Sequence, residues 1–207
     1  MDALPLVELL RQAVPDAAID PASSVDMPAI FVDREHVVDV CRVLRDDPTL
    51  QFVFLADVTA VDRLPAEPRY EVVYHLACLG EHYRSDPSAP ASAPKRLRMK
   101  VRVPGADPRV PTVTAVYPTA GWPERELFDL FGLSFDDHPD LRRILMPEDW
   151  EGYPLRKDYP VQIRKDTATW SPLQLSAEEF AENVRARREQ AHDQAQPDAG
   201  GGPPPRE

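Results

Sequence analysis

Cysteine is almost missing from this 207-residue chain: Cys41 and Cys78 stand far apart, with no CxxC pair and no cluster. That excludes the thiolate sets that hold zinc or iron–sulfur clusters. It also argues against a disulfide-stapled secreted fold, so both residues are expected as buried free thiols. Glycine is scarce at 8, and three of these are the consecutive Gly200 to Gly202. Little remains for phosphate-cradling loops, and neither GxGxxG nor GxxxxGK[ST] occurs. No GxSxG offers a nucleophile. His36, His75, His82, His138 and His192 are scattered without ligand spacing. Positive charge is in the minority, 24 Lys and Arg against 35 Asp and Glu, for a net −11. General nucleic-acid binding needs the opposite field. No apolar run approaches the ~20 residues that span a bilayer. The N-terminus, MDALPLVELLRQ, has neither a basic n-region nor a small-residue cleavage site. Membrane contact is therefore expected only through a partner.

What is present is enough for one core: 43% hydrophobic residues, with 24 prolines that favour extended, irregular segments. Residues 4 to 14 set Leu6, Leu9, Leu10 and Ala13 at helical spacing. AIFV at 29 to 32 reads as a strand, after which Asp33 can cap a helix with Val37, Val40, Cys41 and Leu44 on one stripe. Pro48 stops it, and the apolar, β-branched LQFVFLADVTAV predicts a central strand. In RYEVVYHLACL, Tyr70, Val72, Tyr74, Leu76 and Cys78 share one face. A Pro/Ala/Ser loop over 84 to 94 leads into KRLRMKVRV, where Leu97, Met99, Val101 and Val103 oppose Arg96, Arg98, Lys100 and Arg102. These elements predict an α+β fold: a mixed, largely antiparallel sheet with N-terminal helices on one face, then a short helix and an extended C-terminal arm.

Asp57 and Asp62 could do acid–base work as a pair, but on a continuous strand they face opposite ways, which favours caps and salt bridges. The basic ladder Arg96, Arg98, Lys100, Arg102 reads either as a partner surface or as a solvated face paired with acidic residues. PERELFDLF at 123 to 131 predicts a short helix with Pro123 at its first position and Gly132 as its stop. On that helix Glu124 projects from the middle of the apolar arc. If buried it needs a cation, and Arg142 or Arg143 is the nearest in sequence. From 133 on, periodicity disappears, yet Leu141, Ile144, Leu145, Met146, Trp150, Tyr153, Leu155 and Tyr159 are too apolar for a disordered segment. A proline-divided loop this long is uncommon in a compact domain unless functional. We expect an arm that buries aromatics against another chain. Ser176 and Glu179 form a capping box for a charged helix through about Ala191, and DAGGGPPPRE is expected to be disordered.

The segment AGWPERELFDLFGLSFDDHPDLRRILMPEDWEGYPLRKDYP resembles the signature region of the C subunit of NADH:quinone oxidoreductase, the 30 kDa family of respiratory complex I. The residues that carry the resemblance are Glu124, Arg125, Glu126, Asp129 and Gly132; His138, Pro139, Leu141 and Arg142; and Pro154, Leu155, Arg156, Lys157, Asp158 and Tyr159. FLADVTAVD, YEVVYHL and VPTVTAVYPTAGW upstream are also similar. Pro123, Asp137 and Tyr153 depart from the more usual aliphatic residue, Gly and His. The resemblance spans about residues 29 to 161.

It implies a structural component without a redox centre, holding no catalytic, cofactor or metal residues of its own. FMN, iron–sulfur clusters and quinone would belong to the parent complex, which passes electrons from NADH to quinone with proton translocation. The partners implied are chiefly the D subunit, also the B and I subunits, on the cytoplasmic face of the bacterial inner membrane. Arg143 and Trp150 join the signature residues as the expected interface. The implied organisation is an N-terminal helical extension over 1–28, the α+β domain over 29–132, a partner-binding arm over 133–165, and a charged helix and tail over 166–207. The equivalent component of a membrane-bound hydrogenase or related dehydrogenase is the alternative.

Overall fold

The computed structural model describes residues 3–80 and 93–160, with Glu182 and Arg185 beyond them as isolated helical positions. The greater part of the Pro/Ala/Ser loop, the capping-box helix, the tail and the last residues of the arm lie outside the described residues.

Five strands form one sheet in the order β1-β2-β5-β4-β3: β1 (Ile19–Ala22), β2 (Ala29–Val32), β3 (Phe54–Asp62), β4 (Tyr70–Cys78) and β5 (Lys95–Val103). Within it the β2–β5 pair is parallel and the other pairs are antiparallel. Two helices precede β3: α1 (Ala3–Ala13) and α2 (Val37–Asp46). The α+β reading therefore stands. The alternation of KRLRMKVRV and RYEVVYHLACL sends Leu97, Met99, Val101, Val103, Tyr70, Val72, Tyr74 and Leu76 into one core with Val37, Val40, Cys41 and Leu44 of α2. Leu6, Val7 and Leu10 of α1 join the same cluster, driven by the apolar area their stripe removes from water. Cys41 and Cys78 are free and buried.

Several local expectations are corrected. The sequence does not announce β1, because IDPA is short and contains Pro21, yet the strand pairs with β2 along its length. Asp33 does flank the helical start, but its carboxylate caps nothing there. Oδ1 accepts the amide of Ala18 at 2.8 Å, and Oδ2 meets His36 Nδ1 at 2.5 Å. Arg34–His36 then form a 3-10 turn before α2. The strand expected at the centre of the sheet lies at its edge: among the described residues β3 pairs with β4 alone, and its apolar run reflects the burial of Leu55, Val58 and Ala60 on one face rather than strands on both sides. It begins only at Phe54, because Gln51 adopts φ 51° and turns the chain beforehand.

Of the basic ladder, Arg98 pairs with Asp26 at 3.3 Å and Lys100 with Glu71 at 2.9 Å, while Arg102 stacks over Phe31 at 3.9 Å. The face is thus largely satisfied within the chain. Asp57 faces this open side opposite His75, and Asp62 faces the core side opposite Tyr70.

Beyond β5 come two short strands that pair parallel to each other, β6 (Arg109–Pro111) and β7 (Ser134–Asp136), with α3 (Gly121–Phe131) between them. α3 starts two residues before the position expected for it, so Pro123 is its third residue. The first turn has no intrahelical acceptor for that amide, so proline costs nothing there. Gly132 ends α3 at φ 70°, with its amide on Phe128 and that of Leu133 on Leu127. No described helix is long and apolar enough to cross a membrane.

Candidate partner-binding site

The signature helix α3 spends nearly all of its polar side chains on neighbouring segments of its own chain. Glu124 is buried, as its place on the apolar arc requires, but its partner is neither Arg142 nor Arg143. Its Oε2 accepts the Thr112 hydroxyl at 2.5 Å and its Oε1 accepts the Val113 amide at 3.0 Å. The partners lie upstream, just after β6, and among the described residues no Lys or Arg pairs with the carboxylate. His138 Nε2 stands 3.8 Å away. Its Nδ1 accepts the Asp140 amide at 3.0 Å, so the proton sits on Nε2, which donates to Gly121 O at 3.1 Å. Burial pushes the Glu124 carboxyl up to about 7, against the opposing hydrogen bonds from Thr112 and Val113. Burial and the nearby Glu124 charge also push the Tyr74 hydroxyl far up.

The downstream arginines are engaged elsewhere. Arg143 donates to Asp129 Oδ1 at 2.7 Å and to Trp150 O at 3.0 Å; Arg142 pairs with Asp140 at 3.0 Å. Asp129 is the centre of the arrangement. Its Oδ2 accepts three successive backbone amides, Ile144 at 3.0 Å, Leu145 at 2.7 Å and Met146 at 2.8 Å. Burial alone would raise its pKa, but these amides and Arg143 outweigh it and hold the carboxyl below the usual range. One turn earlier, Arg125 donates to the carbonyls of Arg142 and Arg143 and stacks beside Trp122. Segment 142–146 is therefore bound to α3 by one side chain that takes its amides and another that takes its carbonyls.

A second fastening lies at the end of α3. The Leu155 amide donates to Leu130 O at 3.0 Å, and Arg156 Nε donates to Phe131 O at 2.5 Å with its guanidinium over the Tyr153 ring. A Cβ on Gly132 would overlap Arg156 Nη2 and fall 2.6 Å from the Tyr153 ring, at a positive φ. Gly132→Ala should therefore destabilise the chain by about 3 kcal/mol, beyond the ~1–2 kcal/mol that left-handed backbone alone costs. Thermal unfolding of the purified variant checks this; a loss below about 2 kcal/mol would show that Tyr153 and Arg156 yield freely.

The third fastening is at the sheet. Asp62, nearly fully buried, takes Arg69 through both oxygens, and its Oδ2 also accepts the Lys157 amide at 2.8 Å. Arg69 in turn holds Asp158 at 2.7 Å. The Arg69 hydrogen bonds keep the Asp62 carboxyl well below the usual range. Asp62, a candidate for acid–base chemistry on sequence alone, is a structural anchor.

Among the signature residues, Leu141 packs on the core, Pro154 and Tyr159 are half-buried, and Pro139 and Glu126 are exposed. Trp150 is half-buried. Trp122, Leu145 and Leu155 are 69%, 60% and 51% exposed around the same helix and arm, large apolar groups left in water. Sequence reasoning missed Trp122 and Thr112. Among the described residues no group of three His, Cys, Asp or Glu could hold a metal ion.

Residues 30–165 match the family described as respiratory-chain NADH dehydrogenase, 30 kDa subunit. The NADH-quinone oxidoreductase C subunit of Roseiflexus sp. (strain RS-1) is 42% identical over 177 residues, spanning 86% of this chain and 95% of that one. Its counterpart in Geobacter sulfurreducens is 48% identical over 134 residues, 64% of this chain and 74% of that relative. Among solved structures, a trypsin-resistant fragment of Nqo5 is similar at 31% identity and a TM-score of 0.52, covering 67% of this chain and 98% of the fragment. The chain belongs to the family of the NADH-quinone oxidoreductase C subunit, the 30 kDa component of the respiratory-chain NADH dehydrogenase.

Proposed function

We propose that this chain is a cofactor-free brace in the peripheral arm of a proton-translocating NADH:quinone oxidoreductase. Membership of the family makes it part of that enzyme complex, with other complex I subunits as its partners. The finer reading is that it packs chiefly on the D subunit, and near the B and I subunits, on the cytoplasmic face of the bacterial inner membrane. There it holds neighbours at fixed spacing while electrons pass from NADH through FMN and iron–sulfur clusters to quinone. Those groups sit in other subunits; this chain contributes neither ligands nor a catalytic residue. The interface is assigned to the signature helix and arm: Glu126, Pro139, Arg142, Leu155, Lys157 and Asp158 are exposed there, Arg125, Gly132, His138, Leu141, Arg143, Trp150, Pro154, Arg156 and Tyr159 are half-buried, and the buried Glu124 and Asp129 shape it from within.

The observation that carries this reading is the fastened arm. Three sets of hydrogen bonds hold an irregular segment in one shape, and that shape leaves Trp122, Leu145 and Leu155 exposed. Large apolar side chains left in water along one helix and the arm fastened to it fit a contact surface. A pre-shaped arm binds without an ordering cost at the moment of association.

An affinity tag on the chain, followed by mild extraction of membranes and peptide identification, tests the assignment. Flavin and iron–sulfur subunits should be recovered with it in fixed ratio. The chain purified alone should show no flavin or iron–sulfur absorbance. Stoichiometric flavin or metal in the isolated chain, or recovery without those partners, would overturn the reading.

A further inference from the structure

The two edges of the main sheet are treated differently. β1 has four residues with Pro21 within it, and each edge strand has a helix packed near it, α1 by β1 and α3 by β3. Arg11 Nε occupies Ile19 O at 2.8 Å, and Arg11 Nη2 pairs with Asp20. Short length, proline and a covering side chain are the usual ways of blunting an edge. β3, at the opposite edge, has nine residues, FLADVTAVD, with neither proline nor lysine. Among the described residues its backbone hydrogen bonds go to β4 alone. Phe54 and Val61 on it are 43% and 47% exposed. A register irregularity between Leu55 and Asp57 interrupts its start, leaving Asp57 to Asp62 as a regular run rich in β-branched residues.

We propose that this run is a strand-addition site for an extended segment of another subunit, one that carries a cationic side chain amid apolar ones. The backbone chemistry selects the form of the occupant. A row of outward amides and carbonyls is satisfied in register only by another strand, with side-chain pockets adding specificity. The cation follows from Asp57, exposed on the open face with no side-chain hydrogen bond or ion pair among the described residues, and the apolar neighbours from Phe54 and Val61. A second copy of this chain is the wrong occupant, because each copy carries a net −11. The edge is also continuous with the arm. Lys157 places its amide on Asp62 and its Nζ within 3.4 Å of Leu64 O, at the end of β3. The inference rests on the complex I reading above and names a further contact for it.

Hydrogen exchange followed by mass spectrometry, on the isolated chain and on the extracted complex, reads the edge directly. Outward amides of Asp57 to Asp62 should exchange rapidly in the isolated chain and slow about 100-fold in the complex, with β4 and β5 little changed. Val61→Lys, a guard residue at an exposed position, should leave the melting temperature of the isolated chain unaltered and lower its recovery in the complex about tenfold. Equal exchange of 57–62 in both forms overturns the strand addition, as does normal incorporation of Val61→Lys. A dimer of the isolated chain that protects the same amides overturns the choice of occupant. Absence of the wild-type chain from the extracted complex is a separate result, and it overturns the complex I reading instead.

Discussion

Asp129→Ala should lower the melting temperature of the isolated chain by about 10 °C. The carboxylate is fully buried and answers four donors, three of them consecutive amides of the arm. Its removal leaves those amides and the Arg143 guanidinium without their acceptor. Stripping a buried charge of its partner costs about 3–5 kcal/mol. Arg143 keeps about a fifth of its side chain in water, which favours the lower end of that range. At about 2–4 °C per kcal/mol for a domain of this size, the shift is large enough to read by circular dichroism. Segment 142–146 would also leave α3, freeing the backbone around Arg142 and Arg143 for cleavage by trypsin. Assembly into the membrane complex should fall with it, while the separately measured NADH–flavin half-reaction is spared. A loss of less than about 1 kcal/mol, the usual size for an exposed pair, would show that the arm keeps its shape without this clamp.

The second large effect is one of pH. Glu124 is pushed up to about 7 from the ordinary 4.5, so between these values the folded chain keeps a proton that the unfolded chain has lost. Stability then decreases as pH rises, fully present below about 4.5 and lost through about 7. At ~1.4 kcal/mol per pH unit the contribution approaches about 3 kcal/mol. Asp62 and Asp129, both lowered, act in the opposite sense and lose their contribution only as the medium becomes strongly acidic. Tyr74 and Cys41, pushed upward by burial, stay neutral throughout the window. Glu124→Gln removes the ionisation and keeps a group that can accept the Val113 amide. Urea unfolding at several pH values should therefore show wild type losing stability from about pH 5 to 7 relative to the glutamine variant. Parallel curves for the two proteins would mean that Glu124 is not the titrating group. Glu124→Ala should unfold more readily at every pH, since Thr112 and the Val113 amide lose their acceptor.

The sheet was legible because strand alternation is written in the side chains themselves. Leu97, Met99, Val101 and Val103 show it without help from the rest of the chain. Glu124 was legible as a buried carboxylate for the same reason, since its place on the apolar arc of α3 follows from about 100° per residue. Its partner was not legible. Arg142 and Arg143 looked suitable by charge and by nearness downstream, whereas the structure answers with a hydroxyl and a main-chain amide from the preceding loop. Main-chain donors are common to all residues but proline and leave no mark in a sequence. The triple amide cradle around Asp129 was invisible on the same ground. β6 and β7 escaped because three-residue strands carry no period, and their pairing spans α3.

The β2–β5 pairing sets an order of events as the polypeptide emerges from the ribosome. β3, β4 and β5 can close as successive hairpins, and β1 with β2 as another, but the two groups meet only when Ala29–Val32 finds Arg98–Val101. Until Lys95 and the strand it opens have been synthesised, Ile30 and Val32 have strand neighbours only in β1, and the hairpin that carries them waits apart from the rest of the sheet. Such non-local, parallel closure is the slow part of forming a sheet. A nascent chain stalled before Lys95 therefore holds two unjoined parts of its sheet, and the delay is built into the strand order.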